Sequence, residues 1–236
     1  CYPDGLESFQ KPGTGVWSID CMKATDVAGL DLGTMIEAQS SHNGSTLHIK
    51  DPVVFDAPGG GTALAFCSHP FSWSSSNTGL AIRSEGADSF KITTNCMIER
   101  GATWDVACTR LTDRLAVPQV GRFASLLPLS LYFYDGAECL RALDENPAAA
   151  KRPRGFSCEE LGGLAWGWDS EFPKIQRLSV DFPLFVSPHG TGCSRYVSTL
   201  ATSGAIMASW QQSQPDLSQP LVGNFVKKEA IDRLLG

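Results

Sequence analysis

The chain has 236 residues, of which 42% are hydrophobic and 19% charged, with a net charge of −6. That much apolar material excludes a mainly disordered protein. The lack of a basic excess leaves no broad electrostatic footprint for nucleic acid, and no apolar run approaches the roughly 18 residues that would span a bilayer. Gly 23 and Pro 14 point to many turns and short elements. The length suits one large all-β domain, since such domains often exceed the roughly 150 residues that serve as a prior. The whole of 1–236 is therefore read as a single domain.

The first usable signals in chain order are short apolar runs between turn residues. Pro52–Phe55, Ala63–Phe66, Leu131–Tyr134, Leu184–Val186 and Ala205–Ala208 have strand length and carry Gly, Pro, Ser or Asn at their flanks. Gly59-Gly60-Gly61 lacks the Lys-Ser/Thr of a phosphate loop and reads as a hairpin tip. Residues 143–157 combine charges, two prolines and a glycine, and read as a loop. Helical spacing is clear in one place, Val226 to Leu235, where Val226, Ala230, Ile231 and Leu234 recur among charges.

An internal echo organises these runs. Gly79-Leu80-Ala81, followed by Phe90-Lys91-Ile92, returns as Gly163-Leu164-Ala165, followed by Phe172-Pro173-Lys174-Ile175. Ala63–Phe66 precedes the first copy and Leu131–Tyr134 the second. The order is an apolar strand, a second apolar strand, a Gly-Leu-Ala strand and a polar outer strand. Such repetition predicts a β-propeller or related array. Leu184–Val186 and Tyr196–Leu200 read as the start of a further unit.

Eight cysteines at wide spacing include no C-x-x-C pair. They fit disulfides in an oxidising compartment or small buried hydrophobes in a reducing one. Asn43-Gly44-Ser45 matches the N-glycosylation pattern and favours secretion. The chain starts at Cys1, which points to processing, trimming or a partial sequence. His42, His48, His69 and His189 show no metal-ligand spacing, so neither metal nor other cofactor is expected.

Lys50-Asp51-Pro52-Val53-Val54 resembles the "DP-V" element that opens a blade in five-bladed β-propeller glycoside hydrolases, the superfamily of arabinanases, β-xylosidases and invertases. Leu131–Gly136 is similar to their "L-Y-Y-D-G" strand, and Glu160–Ala165 to "E-x-x-G-L-A". Asp169, Arg177–Ser179 and Gly192–Val197 fit the same style, so the resemblance runs over roughly 48–212. Two features depart from it. Five blades usually need a longer chain, and Trp17-Ser18-Ile19-Asp20-Cys21 lacks the Asn and Pro of the invertase nucleophile motif. The resemblance implies an all-β propeller of the five-bladed type, complete or partial, ending in a short helix and acting on carbohydrate.

Glycoside hydrolysis needs one protonated carboxyl as acid and one ionised carboxylate as base or nucleophile. Asp51, before an apolar strand, is the first candidate. Glu160 is the second, with Glu138, which follows a Tyr-Asp-Gly turn, and Glu159 as rivals. Asp135 reads as the residue of an Asp-Gly turn at a strand end. Trp73, Trp166, Trp168 and Trp210 offer faces for sugar C–H surfaces, and Trp166 and Trp168 share one face if they lie on a strand. Arg195 supplies a donor fork for a carboxylate or a sugar hydroxyl, and His69 and His189 sit in loops suited to line a pocket. A non-catalytic, lectin-like propeller and a structural or interaction β-domain are the alternatives.

Overall fold

A computed structural model describes residues 18–40, 48–69, 76–137, 141–142, 156–157 and 160–235. The chain divides into two compact units, Cys1–Cys96 and Met97–Gly236. β1–β2, β3–β4, β4–β5, β7–β8, β8–β11, β9–β10, β11–β12, β13–β14 and β14–β15 all pair antiparallel.

In the first unit, β1 (Ile19–Cys21) pairs with β2 (Ile36–Gln39). Four further strands then form one sheet in strict chain order: β3 (His48–Asp56), β4 (Thr62–His69), β5 (Asn77–Arg83) and β6 (Lys91–Ile98). The glycine tip between β3 and β4 closes with Ala57 N–H donating to Gly61 O and Gly60 N–H to Ala57 O. Gly59, Gly60 and Gly61 all have positive φ there, which residues with a Cβ rarely adopt. Ile19, Ile49, Leu64, Phe66 and Ala81 form this unit's core, with Ala38 and Phe90 against it. Each fully buried large side chain contributes about 1.5–3 kcal/mol. β6 is mostly exposed, as a polar outer strand should be.

The second unit repeats the plan. β7 (Cys108–Ala116), β8 (Leu129–Ala137), β11 (Leu161–Trp168) and β12 (Gln176–Arg177) make a four-stranded sheet, again in chain order. A small pair, β9 (Arg141–Ala142) and β10 (Phe156–Ser157), is inserted between β8 and β11. The loop expected over 143–157 lies outside the described residues except for β10. A third meander follows, β13 (Ser194–Ala201), β14 (Ala205–Gln212) and β15 (Leu221–Lys227), and the chain ends in α1 (Lys228–Leu235). The helix starts two residues later than expected. Val226 and Lys227 belong to the β14–β15 ladder instead, opposite Ile206 and Ala205, and the β-branched Val226 suits that pairing. Within α1, Lys228 Nζ lies 2.6 Å from Asp232 Oδ2, one turn on.

The sequence echo has a physical cause. Both Gly-Leu-Ala copies occupy the third strand of a four-stranded sheet, beside an aromatic residue of the second strand. Gly79 faces Phe66, and Gly163 faces Tyr134. A Cβ on Gly79 would sit 2.6 Å from the Phe66 ring, and one on Gly163 would sit 2.5 Å from the Tyr134 ring. In both copies the ring therefore requires glycine beside it. Leu184–Val186 is corrected: it makes one isolated bridge, Phe185 to Gly162, and no strand. Prolines at 183 and 188 flank it and cannot donate to a ladder.

The first strand of each meander carries an irregularity of the same kind. Register breaks between Lys50 and Val53 in β3, between Leu111 and Asp113 in β7, and between Arg195 and Ser198 in β13. Each break is a bulge, a device that re-aims side chains.

Candidate functional site

Two of these bulges hold a non-glycine residue in left-handed backbone, Asp51 at φ 54° and Tyr196 at φ 57°. Both directly follow the last regular pair before the break. For an L-residue that conformation costs about 1–2 kcal/mol, so surrounding contacts must hold it.

At Tyr196 those contacts come from a buried carboxylate. The Tyr196 backbone N–H donates to Asp135, 3.1 Å from both carboxylate oxygens. Asp135 Oδ2 also accepts from Arg110 Nη2 at 2.7 Å. The same Nη2 lies 2.8 Å from Glu160 Oε1, while Arg195 Nη1 pairs with Glu160 Oε2. Arg195 Nε donates to Gln211 Oε1 at 3.0 Å across the β13–β14 pair. The Tyr196 ring lies beside both guanidinium groups, 4.2 Å from Arg110 Cζ and 4.9 Å from Arg195 Cζ, a favourable cation–π geometry. Arg110, Asp135, Glu160 and Arg195 are each 9% exposed or less, whereas Tyr196 is 40% exposed. A buried lattice of two cations and two anions thus supports one accessible phenol.

Four strands or strand ends assemble this lattice. Arg110 belongs to β7 and Asp135 to β8, Glu160 immediately precedes β11, and Arg195 and Tyr196 open β13. Asp113 reinforces the junction by accepting from both Thr199 N–H and Thr199 Oγ1, with β7 on one side and β13 on the other. Burial raises the Asp135 carboxyl to about 6; Arg110 pulls it down, and the Glu160 charge pushes it up.

Asp135 therefore does not make the expected turn. It lies inside β8, and the glycine after it answers to packing: a Cβ on Gly136 would be 2.5 Å from Asp105 Cβ and 2.7 Å from the Trp104 ring. Asp105 and Tyr134 form a second buried cluster. The Tyr134 hydroxyl is 3.2 Å from both Asp105 Oδ2 and Ser179 O and can donate to one at a time. Trp104 Nε1 donates to Ser179 O at 3.0 Å. Burial raises the Asp105 carboxyl, and burial with the Asp105 charge raises the Tyr134 phenol.

The other expected site residues are dispersed. Asp51 is half-buried in the first unit, its Oδ2 3.1 Å from Lys50 Nζ. Trp166 and Trp168 do sit on one strand, β11, and their rings meet edge to face at 5.3 Å, both half-buried. His189 is exposed, and its backbone N–H donates to Ser187 Oγ. Glu138, Glu159 and Trp73 lie outside the described residues, as does the side chain of His69. No group of three or more His, Cys, Asp or Glu among the described residues is placed to hold a metal ion. Sequence reasoning missed Arg110, Asp135 and Tyr196. The available signal was a charge within the apolar run Leu131–Ala137, because a buried carboxylate demands a partner.

No family model matches the chain, and no curated protein matches it. Among solved structures it is similar to one described as a complex of BT0996 and RGII, with 9% identity and a TM-score of 0.51 over 83% of this chain and 57% of that one. A glycosyl hydrolase from Bacteroides ovatus shows 8% identity and a TM-score of 0.37, over 86% of this chain and 79% of that one. A further structure, described as a glycoside hydrolase, shows 7% identity and a TM-score of 0.30, over 81% and 74%. The last two likenesses are too loose to argue from. The first is a likeness of fold, and this chain spans 57% of that protein's length.

Proposed function

We propose that this chain is a β-propeller module of the glycoside hydrolase type, acting on carbohydrate. The observation that carries the reading is the register break repeated on β3, β7 and β13, which puts Asp51 and Tyr196 in left-handed backbone at matching places. Non-glycine residues in that region gather at functional sites. Three successive meanders in chain order support blades, and so do the motifs that resemble the propeller hydrolases. In this reading 1–236 belongs to one propeller domain, complete or partial.

The charge pattern suggests how the roles divide. Glu160 is ion-paired with two arginines and Asp51 with Lys50. Ion-paired carboxylates suit the ionised role, which takes a proton from attacking water or attacks the sugar itself. The acid that protonates the departing oxygen then falls to Glu138. Tyr196, with Arg195 beneath it, positions the sugar.

A panel of aryl glycosides and oligosaccharides tests this. Turnover is expected, and it should fall by at least about 10²-fold in Glu138→Gln and in Asp51→Asn. A chain that neither binds nor cleaves any glycan refutes the proposal. One observation favours a lectin-like variant: the edge-to-face Trp166–Trp168 pair on β11 offers aromatic area without a carboxylate. Saturable binding without turnover, lost in Trp166→Ala or Trp168→Ala, would select that variant.

A further inference from the structure

We propose that the open edge of β2 binds an extended peptide, which joins the β1–β2 pair as a third strand. The inference is independent of the carbohydrate reading, and the site lies wholly within the first unit. A cavity of about 460 Å³ is lined by residues 37–40, in β2 and just after it, and by residues 90–92 at the start of β6; its size is that of a ligand site. Successive side chains of a strand point to opposite faces. A cavity touched by four successive residues therefore runs along the strand's edge, not over one face. Among the described residues, β2 pairs with β1 alone and β6 is the last strand of its sheet. The β1–β2 pair has strands of three and four residues, a marginal sheet that a third strand stabilises. The floor of the cavity is already set, because Ala38 and Phe90 both pack against the unit's core.

The polar groups of the cavity match a peptide. Gln39 is 7% exposed. Its Nε2 donates to Ser40 O at 3.3 Å, and no described residue donates to its Oε1. That oxygen is left to accept a main-chain N–H. Glu37 Oε1 accepts from Ser40 Oγ at 2.7 Å, which leaves its Oε2 open. Lys91 is exposed and has no carboxylate partner among the described residues. Strand addition draws affinity from main-chain hydrogen bonds and specificity from alternate side chains. The matching segment therefore alternates: one charge of each sign for Glu37 and Lys91, and between them an apolar residue for Ala38, Phe90 and the half-exposed Ile92. Four residues of edge span about 13 Å, room for such a triplet in extended form.

Fluorescence anisotropy of the full chain with the labelled peptide acetyl-Thr-Lys-Val-Glu-Thr-amide tests the idea. A Kd below about 100 µM is expected. Methylating the Lys, Val and Glu nitrogens keeps the side chains and removes the main-chain donors of both peptide edges. That peptide should bind at least about tenfold more weakly. Lys91→Glu alters an exposed side chain outside the core. It should weaken the Lys-Val-Glu peptide about fivefold and tighten a Lys-Val-Lys peptide by a similar factor. No binding by the native chain at about 1 mM peptide overturns the inference, and so does equal binding of the methylated peptide. Self-association of the chain that Lys91→Glu abolishes would put a second copy on this edge and also overturn it. Each of these failures leaves the carbohydrate reading standing.

Discussion

Asp135→Asn is the most informative single change, because the substituted side chain has the same shape and lacks the charge. The native carboxylate accepts from Arg110 Nη2 at 2.7 Å and from Tyr196 N–H at 3.1 Å. An amide offers one oxygen and one NH2 group. With its NH2 in place of Oδ2 it faces the guanidinium, and with its NH2 in place of Oδ1 it faces the Tyr196 N–H, which then keeps only the oxygen at the Oδ2 position; either way the site loses one acceptor. That loss alone costs about 1–3 kcal/mol. Breaking a buried ion pair outright costs about 3–5 kcal/mol, but Arg110 keeps Glu160 at 2.8 Å. The expected destabilisation is therefore about 2–3 kcal/mol, in the upper part of the first range and short of the second. Urea unfolding, followed by tryptophan fluorescence and far-ultraviolet circular dichroism, measures it. The second unit holds Trp104, Trp166, Trp168 and Trp210, so its transition is visible. A change below about 0.5 kcal/mol, the range of ordinary surface substitutions, would show that the lattice does not hold Tyr196 in place.

Two further outcomes follow from the same geometry. The Asp135 carboxyl is raised from 3.8 to about 6, so the folded chain holds this proton more tightly than the unfolded chain does. Its contribution to stability is complete below 3.8 and is lost as pH rises through about 6. Stability measured across that window should fall less with rising pH in Asp135→Asn than in the native chain, and identical slopes would refute this. Separately, Gly79→Ala and Gly163→Ala each drive a methyl to within 2.6 Å or 2.5 Å of an aromatic ring. Each should cost about 1–3 kcal/mol by overpacking. Because the second ring, Tyr134, is also held by Asp105 and Ser179, the Gly163 variant should show the larger loss on thermal or urea unfolding.

The repeated meander was legible because its cause is local. An aromatic residue on one strand and a glycine on the next leave a visible pair of words in the chain, Ala-Leu-Ala-Phe with Gly-Leu-Ala and Leu-Tyr-Phe-Tyr with Gly-Leu-Ala. The ion-pair lattice was not legible, because its members come from four strands or strand ends and share no spacing. Arg110 sits in Thr-Arg-Leu-Thr-Asp, which reads as ordinary strand alternation. Arg195 and Glu160 stand out individually in the sequence, but only the register of β7, β8, β11 and β13 brings them together. Leu184–Val186 misled for the converse reason. It has strand composition, but Phe185 packs closely against Gly162 between two prolines, where one bridge is all the backbone can make.

The small pair β9–β10 has an entropic consequence. Residues 70–76 join β4 to β5, whereas 138–160 join β8 to β11, a tether about three times longer. Closing the longer tether costs about 1 kcal/mol more chain entropy. That cost must be met before the eight residue pairs of the β8–β11 ladder form. Of the two four-stranded sheets, the one that carries Asp135 therefore bears the larger loop-closure cost.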